Sequence, residues 1–297
     1  MKARSKNWLD QMLSLYYLAP FHALFRALEA DALSEFSFSH PILDLGCGDG
    51  TFSSSVFDKI EVGLDVSPGE VVRAKGQTYQ YRIVADARRL PFRDDVFQSV
   101  VSVSVLEHIP GVLNLLDEVS RVLSEGGIFV FTGPNEKFSE CLLISALLDR
   151  LGMSSAASYY KAYKNRVMGH IHCYSGDEWR RLLEKSGLLM QGVRGVCSES
   201  SLRAWDVLSE IFLFLQKWRR GLDSRLALGV LDQPSSMFRA TSKTLVVRIW
   251  RSILNKYYRI DEKGSRFGVS VITATKTKHH KRLKKESEIL PGIPGIN

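Results

Sequence analysis

No two of the four cysteines, Cys47, Cys141, Cys173 and Cys197, form a C-x-x-C pair. Their scatter argues against a zinc site or a disulfide framework and fits a reducing cytosol. Long hydrophobic runs are also missing, since none approaches the roughly 18 residues of a membrane span. Apolar residues gather between Leu13 and Leu18, but Asp10 precedes them and no small-residue cleavage site follows. This stretch therefore reads as a helix of the mature protein and not as a signal peptide. No internal repeat is found. With 45% hydrophobic and 24% charged residues in 297, the chain has a globular composition. It is long enough for one large domain, or one domain with an insertion.

The net charge of +8 is unevenly placed. Residues 201–297 carry 19 lysines and arginines against 8 acids, a surplus of 11, which leaves residues 1–200 at −3. An acidic partner, either an anionic membrane or a nucleic acid, is to be sought on the C-terminal third.

From residue 41 onward, short apolar runs alternate with helical patterns, the signature of βαβ units and a parallel sheet. Strands are expected at 42–45, 61–65, 81–85, 99–103, 128–132, 190–196 and 268–275. Leu113, Leu116, Val119 and Leu123 recur every three to four residues and predict one buried helix face, closed by Gly126-Gly127. Ser175 and Glu178 form a capping box that opens a helix burying Trp179, Leu182 and Leu183 and stopping at Gly187. The last two strands are separated by an insertion at 200–262 that reads as two helices. Leu245, Val246, Ile249, Trp250, Ile253, Leu254, Tyr257 and Tyr258 share one stripe of the second. After Thr275, six basic residues precede a Pro-Gly-Ile-Pro-Gly end, a composition that predicts disorder.

Chemistry concentrates where the first strand ends, at Asp44-Leu45-Gly46-Cys47-Gly48-Asp49-Gly50. Alternate glycines let the backbone turn sharply and approach a ligand, and the helix that follows offers free amides. Asp65 closes the second strand 19 residues after Gly46, where a carboxylate can accept both hydroxyls of a ribose. Asp86 closes the third, placed to accept from an adenine amino group, and Leu90 and Pro91 can cover the purine. A dinucleotide fingerprint would need Gly or Ala at position 51. Thr51 stands there, which favours S-adenosylmethionine (SAM) over NAD.

Five segments in order, Ile42–Gly50, Gly63–Val66, Ala85–Ala87 with Leu90–Phe92, Val105–Ile109, and Glu118–Leu123 running into Gly126-Gly127, resemble the class I SAM-dependent methyltransferases, within them the methyltransferase domain 11 group. The resemblance spans about residues 41–133; residues 1–40 and 200–297 lie outside it. It implies an α/β, Rossmann-like three-layer sandwich: a seven-stranded, mostly parallel sheet with an antiparallel last strand, here with a helical insertion before that strand. SAM is the implied cofactor. Gly46, Cys47, Gly48 and Gly50 would face its methionyl end, with Asp44 beneath. Asp65 and Val66 would meet the ribose, Asp86 and Ala87 the adenine, and Val103 and Ser104 the far side of the cofactor.

The implied reaction is in-line displacement at the methyl, in which the protein mainly aligns two reactants and can supply a base. His108 and His172 are the candidate bases, each equally readable as a pocket or surface residue, while Glu107 reads as a local cap or ion-pair partner. Inside its loop Cys47 reads as a small residue that fits, not as a nucleophile. No metal site is expected.

These readings divide the chain into an N-terminal helical segment (1–40), a SAM-binding core (41–199), a helical insertion readable as a lid, a membrane contact or a dimer contact (200–262), the last strand (263–276) and a basic tail (277–297). A small-molecule, lipid-linked or glycan-type acceptor is the leading expectation. RNA methylation through the basic third, and a non-catalytic SAM-fold partner or sensor, are the alternatives. The expected location is the cytoplasm, with peripheral contact to anionic membrane through 200–285.

Overall fold

A computed structural model describes residues 7–74, 77–221, 236–258 and 266–277. The expected tail beyond residue 277 and the middle of the 200–262 insertion lie outside these residues. Seven strands, β1 (Ile42–Leu45), β2 (Ile60–Asp65), β3 (Tyr79–Val84), β4 (Phe97–Val103), β5 (Leu123–Pro134), β6 (Leu188–Ser198) and β7 (Phe267–Lys276), form one sheet in the order 3-2-1-4-5-7-6. Strand β7 runs antiparallel between β5 and β6, and the other described pairings are parallel. All four residues of β1 are buried, as befits a central parallel strand covered on both faces.

Successive side chains of a strand point to opposite faces, so the sheet separates two cores. Ile42, Val101, Val103 and Val130 join one core with helices α1 (Trp8–Leu15) and α2 (Pro20–Leu33). Leu43, Val100, Phe129 and Phe131 join the other with α5 (Val112–Val122) and α8 (Gly176–Lys185). The short helices α3 (Thr51–Val56) and α4 (Pro68–Arg73) follow β1 and β2. The capping box of α8 forms as expected: the Ser175 amide donates to Glu178 Oε2 at 2.8 Å, and the Glu178 amide to Ser175 Oγ at 3.3 Å.

Two local expectations change. Helix α5 ends at Val122, and Gly126-Gly127 lies inside β5, where the register against β4 shifts between Phe97 and Ser99. Gly126 is indeed left-handed (φ 73°), but it serves a strand irregularity and not a helix stop. The segment from His170 to Ser175, which carries the candidate base His172, is loop. Two helices with no sequence-level counterpart, α6 (Leu143–Arg150) and α7 (Ser154–Met168), fill the connection after β5.

The insertion contributes α9 (Glu199–Gly221) and α10 (Ser236–Leu254). Helix α9 packs on α2 and α6, and α10 on α1, so the segments outside the resemblance assemble with one another. The apolar stripe of α10 is divided. Leu254 is buried, and Val247 and Trp250 pack against the core with Tyr257 and Tyr258 beyond the helix, whereas Leu245, Ile249 and Ile253 are exposed.

A buried ion pair fixes α7 to α9. Lys164 Nζ lies 3.1 Å from Asp206 Oδ1 and 3.0 Å from Glu210 Oε1, donates to Ser209 Oγ at 2.9 Å, and sits 4.6 Å from the Trp205 ring centroid. Removing one member of such a pair strands the other charge away from water. Lys164→Met should therefore destabilise the protein by about 3–5 kcal/mol, read as a lowered midpoint in urea denaturation; an unchanged midpoint would show that Asp206 is satisfied by its other partners.

Candidate active site

The sheet order reverses between β1 and β4, and ligands of open α/β sheets bind at the carboxyl ends of strands beside such a switch. A cleft of ≈ 620 Å³ opens there. Of the expected cofactor residues, Asp44, Gly46, Cys47, Gly48, Asp65, Val66, Asp86, Ala87, Val103 and Ser104 all line it. Gly50 does not: it is the left-handed N-cap of α3 (φ 67°). His108 is on the wall of the cleft, and His172 is not. His172 instead donates from Nε2 to the Ile109 carbonyl at 2.9 Å and stacks on Tyr174.

The loop after β1 is locked by its neighbours. The amides of Gly46 and Cys47 both donate to the Leu64 carbonyl, at 2.7 and 3.0 Å. The Gly48 amide donates to Asp65 Oδ2, and the Ser67 amide to Asp65 Oδ1, both at 2.9 Å. Asp65 thus clamps the loop in addition to facing the cleft. Gly46 is left-handed (φ 79°), and a Cβ there would lie 2.5 Å from Val105 Cγ2, so the turn requires glycine.

Beneath the loop, Asp44 is buried and accepts from the Tyr79 hydroxyl at 2.6 Å. Burial pushes its carboxyl up to about 6. The Cys47 thiol is likewise pushed far upward by burial, which keeps it protonated and unreactive. Asp86 is forked to the Arg88 guanidinium, with Nε–Oδ1 at 3.0 Å and Nη2–Oδ2 at 2.6 Å. Hydrogen bonding from Arg88 holds that carboxyl below its ordinary range.

The N-terminal helices, outside the resemblance, supply the roof: Tyr16, His22 and Arg26 line the cleft. Their anchor is Glu29, fully buried in α2. Its Oε1 accepts from Ser104 Oγ at 2.7 Å and Thr132 Oγ1 at 2.6 Å, and its Oε2 lies 2.8 Å from Arg26 Nη1. Ser104 has φ 54°, a strained conformation for a non-glycine residue that persists when neighbours over-determine it. The buried acid in an apolar helix was the available signal, but nothing local says which strand ends it meets.

Behind the cleft lies a smaller chamber of ≈ 140 Å³. His22, Arg26, Ser104 and His108 border both spaces. Phe21, Phe25, Phe138 and Trp205 are its aromatic walls. Glu107, expected to be a cap or ion-pair partner, lines this chamber. It is buried, its nearest basic group is His108 Nε2 at 3.7 Å, and its Oε2 has no hydrogen-bond partner. Burial pushes its carboxyl up to about 8.

This strand order, with the switch-point cleft and its locked glycine loop, is that of the class I SAM-dependent methyltransferase fold. Residues 43–131 match the methyltransferase domain family. The chain is 32% identical over 132 residues to an uncharacterized protein of Methanocaldococcus jannaschii, covering 44% of this chain and 51% of that one. It is 32% identical over 181 residues to the 27-O-demethylrifamycin SV methyltransferase of Amycolatopsis mediterranei, covering 58% and 61%. A SAM-dependent methyltransferase structure from Thermotoga maritima superposes with a TM-score of 0.54 at 14% identity, covering 91% of this chain and 100% of that one; it shares the fold. The chain spans about half the length of the first of these curated relatives.

The cleft suits the family's cofactor. SAM carries a sulfonium and an ammonium, and Asp44, Asp49, Asp65, Glu70 and Asp86 line the space against two arginines, Arg26 and Arg88. Asp65→Ala would remove the acceptor of two charge-assisted bonds, each worth about 1.5–3 kcal/mol. SAM binding should weaken about 100-fold or more, measured by titration calorimetry; an unchanged affinity would remove Asp65 from the site.

Proposed function

We propose that the chain is a methyltransferase that passes the SAM methyl to a small organic acceptor held in the chamber behind the cleft. The observation that carries this reading is the border shared by the two spaces, at Ser104, His22, Arg26 and His108. When bound, SAM supplies a methyl group on a positively charged sulfur. Asp65 and Val66 would hold its ribose, Asp86 and Ala87 its adenine, and the Gly46–Gly48 turn with Asp44 its methionyl end. The residues of the border would aim the acceptor at the methyl, and alignment is a large part of what such a displacement needs. Loss of the sulfonium charge in the reaction removes any need for an anion hole on the leaving group.

A small acceptor is supported by the size of the chamber, walled by Phe21 and Phe25 of α2 and Trp205 of α9. The test is calorimetry with SAM and with S-adenosylhomocysteine (SAH), its demethylated product. Micromolar binding of both is expected; if neither binds, the methyltransferase reading fails.

A second reading concerns where the protein works. Ile211, Phe214 and Leu215 on α9 and Leu245, Ile249 and Ile253 on α10 are exposed, with the cationic residues Arg248 and Lys256 exposed nearby. That mixture of apolar and basic side chains supports peripheral contact with anionic lipid. No helix among the described residues is long and apolar enough to cross a membrane. The protein should sediment with anionic vesicles more than with neutral ones, and equal, negligible pelleting would remove this reading.

A further inference from the structure

The chamber behind the cleft has about the volume of one aromatic ring. An apolar cavity of about 150 Å³ holds a benzene molecule, and this chamber measures ≈ 140 Å³. Its walls are rings set edge to face. Phe138 meets His170 at 5.0 Å and 75°, and Trp205 at 5.8 Å and 66°, while Phe21 meets Trp205 at 6.4 Å and 72°. Such walls favour another aromatic ring, whose edges and faces continue the same geometry.

Two polar atoms of the lining residues, Glu107 Oε2 and Arg26 Nε, are buried without partners and face away from the open space. The other Glu107 oxygen, Oε1, has only His108 Nε2 beside it at 3.7 Å, so a chamber ligand that offers that carboxyl a donor is favoured over one that does not. Among the described residues, helix α2 presents Glu29 and Arg26 toward Glu107, the turn carrying Glu107 presents His108, the loop after α7 presents Cys173, and β5 presents Gly133. Nearby, burial pushes His22 down to about 3 and His170 to about 4, so both imidazoles are neutral. Arg26 is then the cation of the chamber border, which opposes a positively charged acceptor and complements an oxygen gaining negative charge.

We propose that the chamber takes a single aromatic ring bearing a hydroxyl, and that Glu107 is the base that receives the proton of that hydroxyl. The proposal rests on the methyl-transfer reading. The acceptor oxygen forms a bond to the methyl carbon while the carbon–sulfur bond breaks and its electron pair stays on sulfur. The O–H proton passes to the Glu107 carboxylate and later to water. The positive charge of Arg26, on the chamber border, complements the charge that develops on the same oxygen. A carboxyl raised toward neutral pH is a better match to a phenol than an ordinary glutamate, because proton transfer is most effective when donor and acceptor affinities converge.

The test uses the full chain with 4-methylphenol and catechol as ring probes, and with benzylamine and benzoate as rings of other chemistry. Calorimetry on the SAH-loaded protein should show a phenol binding in a 1:1 ratio, several-fold more weakly in Glu107→Gln. Labelled methyl should pass from SAM to a phenol, with kcat falling about 100-fold or more in Glu107→Gln and the SAM affinity changing less than twofold. In the unaltered protein kcat/KM should rise with pH through about 8, since the carboxylate must be ionised to act. Glu107→Asp, which keeps a carboxylate, should retain that rise at a lower rate, and so controls for any loss of folding in the glutamine variant. Methylation of the amine or benzoate in preference to phenols, an undiminished rate in Glu107→Gln, or SAM-loaded protein that methylates no phenol would each overturn the proposal. Failure to bind SAM at all would instead strike the methyltransferase reading.

Discussion

The buried carboxylate of Glu29 joins helix α2 to the ends of β4 and β5 through the hydroxyls of Ser104 and Thr132, while its second oxygen faces Arg26. Much of the site's shape follows from that junction. It holds α2 across the sheet's switch point, so that His22 and Arg26 hang over the cleft and Phe21 and Phe25 form one side of the inner chamber. It also sustains the strained backbone of Ser104 at the border of the two spaces. A carboxylate with charge-assisted bonds on both oxygens resists displacement, because breaking any one leaves a polar atom buried and unpaired.

The two spaces differ in electrostatics as well as size. The cleft is lined by five carboxylates and suits a ligand with two positive charges. The chamber behind it is aromatic, with imidazoles kept neutral by burial and a single carboxyl raised by the same cause. Arg26 borders both and is the cation between them. Desolvation, which would be a penalty in an ordinary core, here sets the proton affinities within reach of the border.

The cleft was legible because its signals are local. The glycine turn, Asp65 and Asp86 each terminate a strand, and strands of a parallel sheet end on a common edge, so residues far apart in sequence meet without further information. Ten of the eleven expected lining residues are on the cleft wall. Gly50 is one step too far along, where its left-handed conformation starts α3. The inner chamber was not legible. Glu29 meets partners 75 and 103 residues away, and Trp205 reaches the chamber from the insertion through an ion pair between α7 and α9. Such contacts depend on how helices dock, which periodicity does not encode. Of the adjacent pair, His108 read as a candidate base and Glu107 as a cap or ion-pair partner. Burial separates them differently, leaving His108 half-exposed and Glu107 with a buried, unpaired oxygen.

By itself the sequence determined where the strands lie and the identity of the cofactor, because apolar runs and strand-end chemistry repeat within short windows; the sheet order came from the structure. The tertiary structure alone decided what stands over the glycine turn and behind it. The helices before residue 41 and after 198 close the site from outside the shared domain. They fix the volume, the aromatic walls and the unpaired carboxyl, since these arise from packing between segments that share no local pattern.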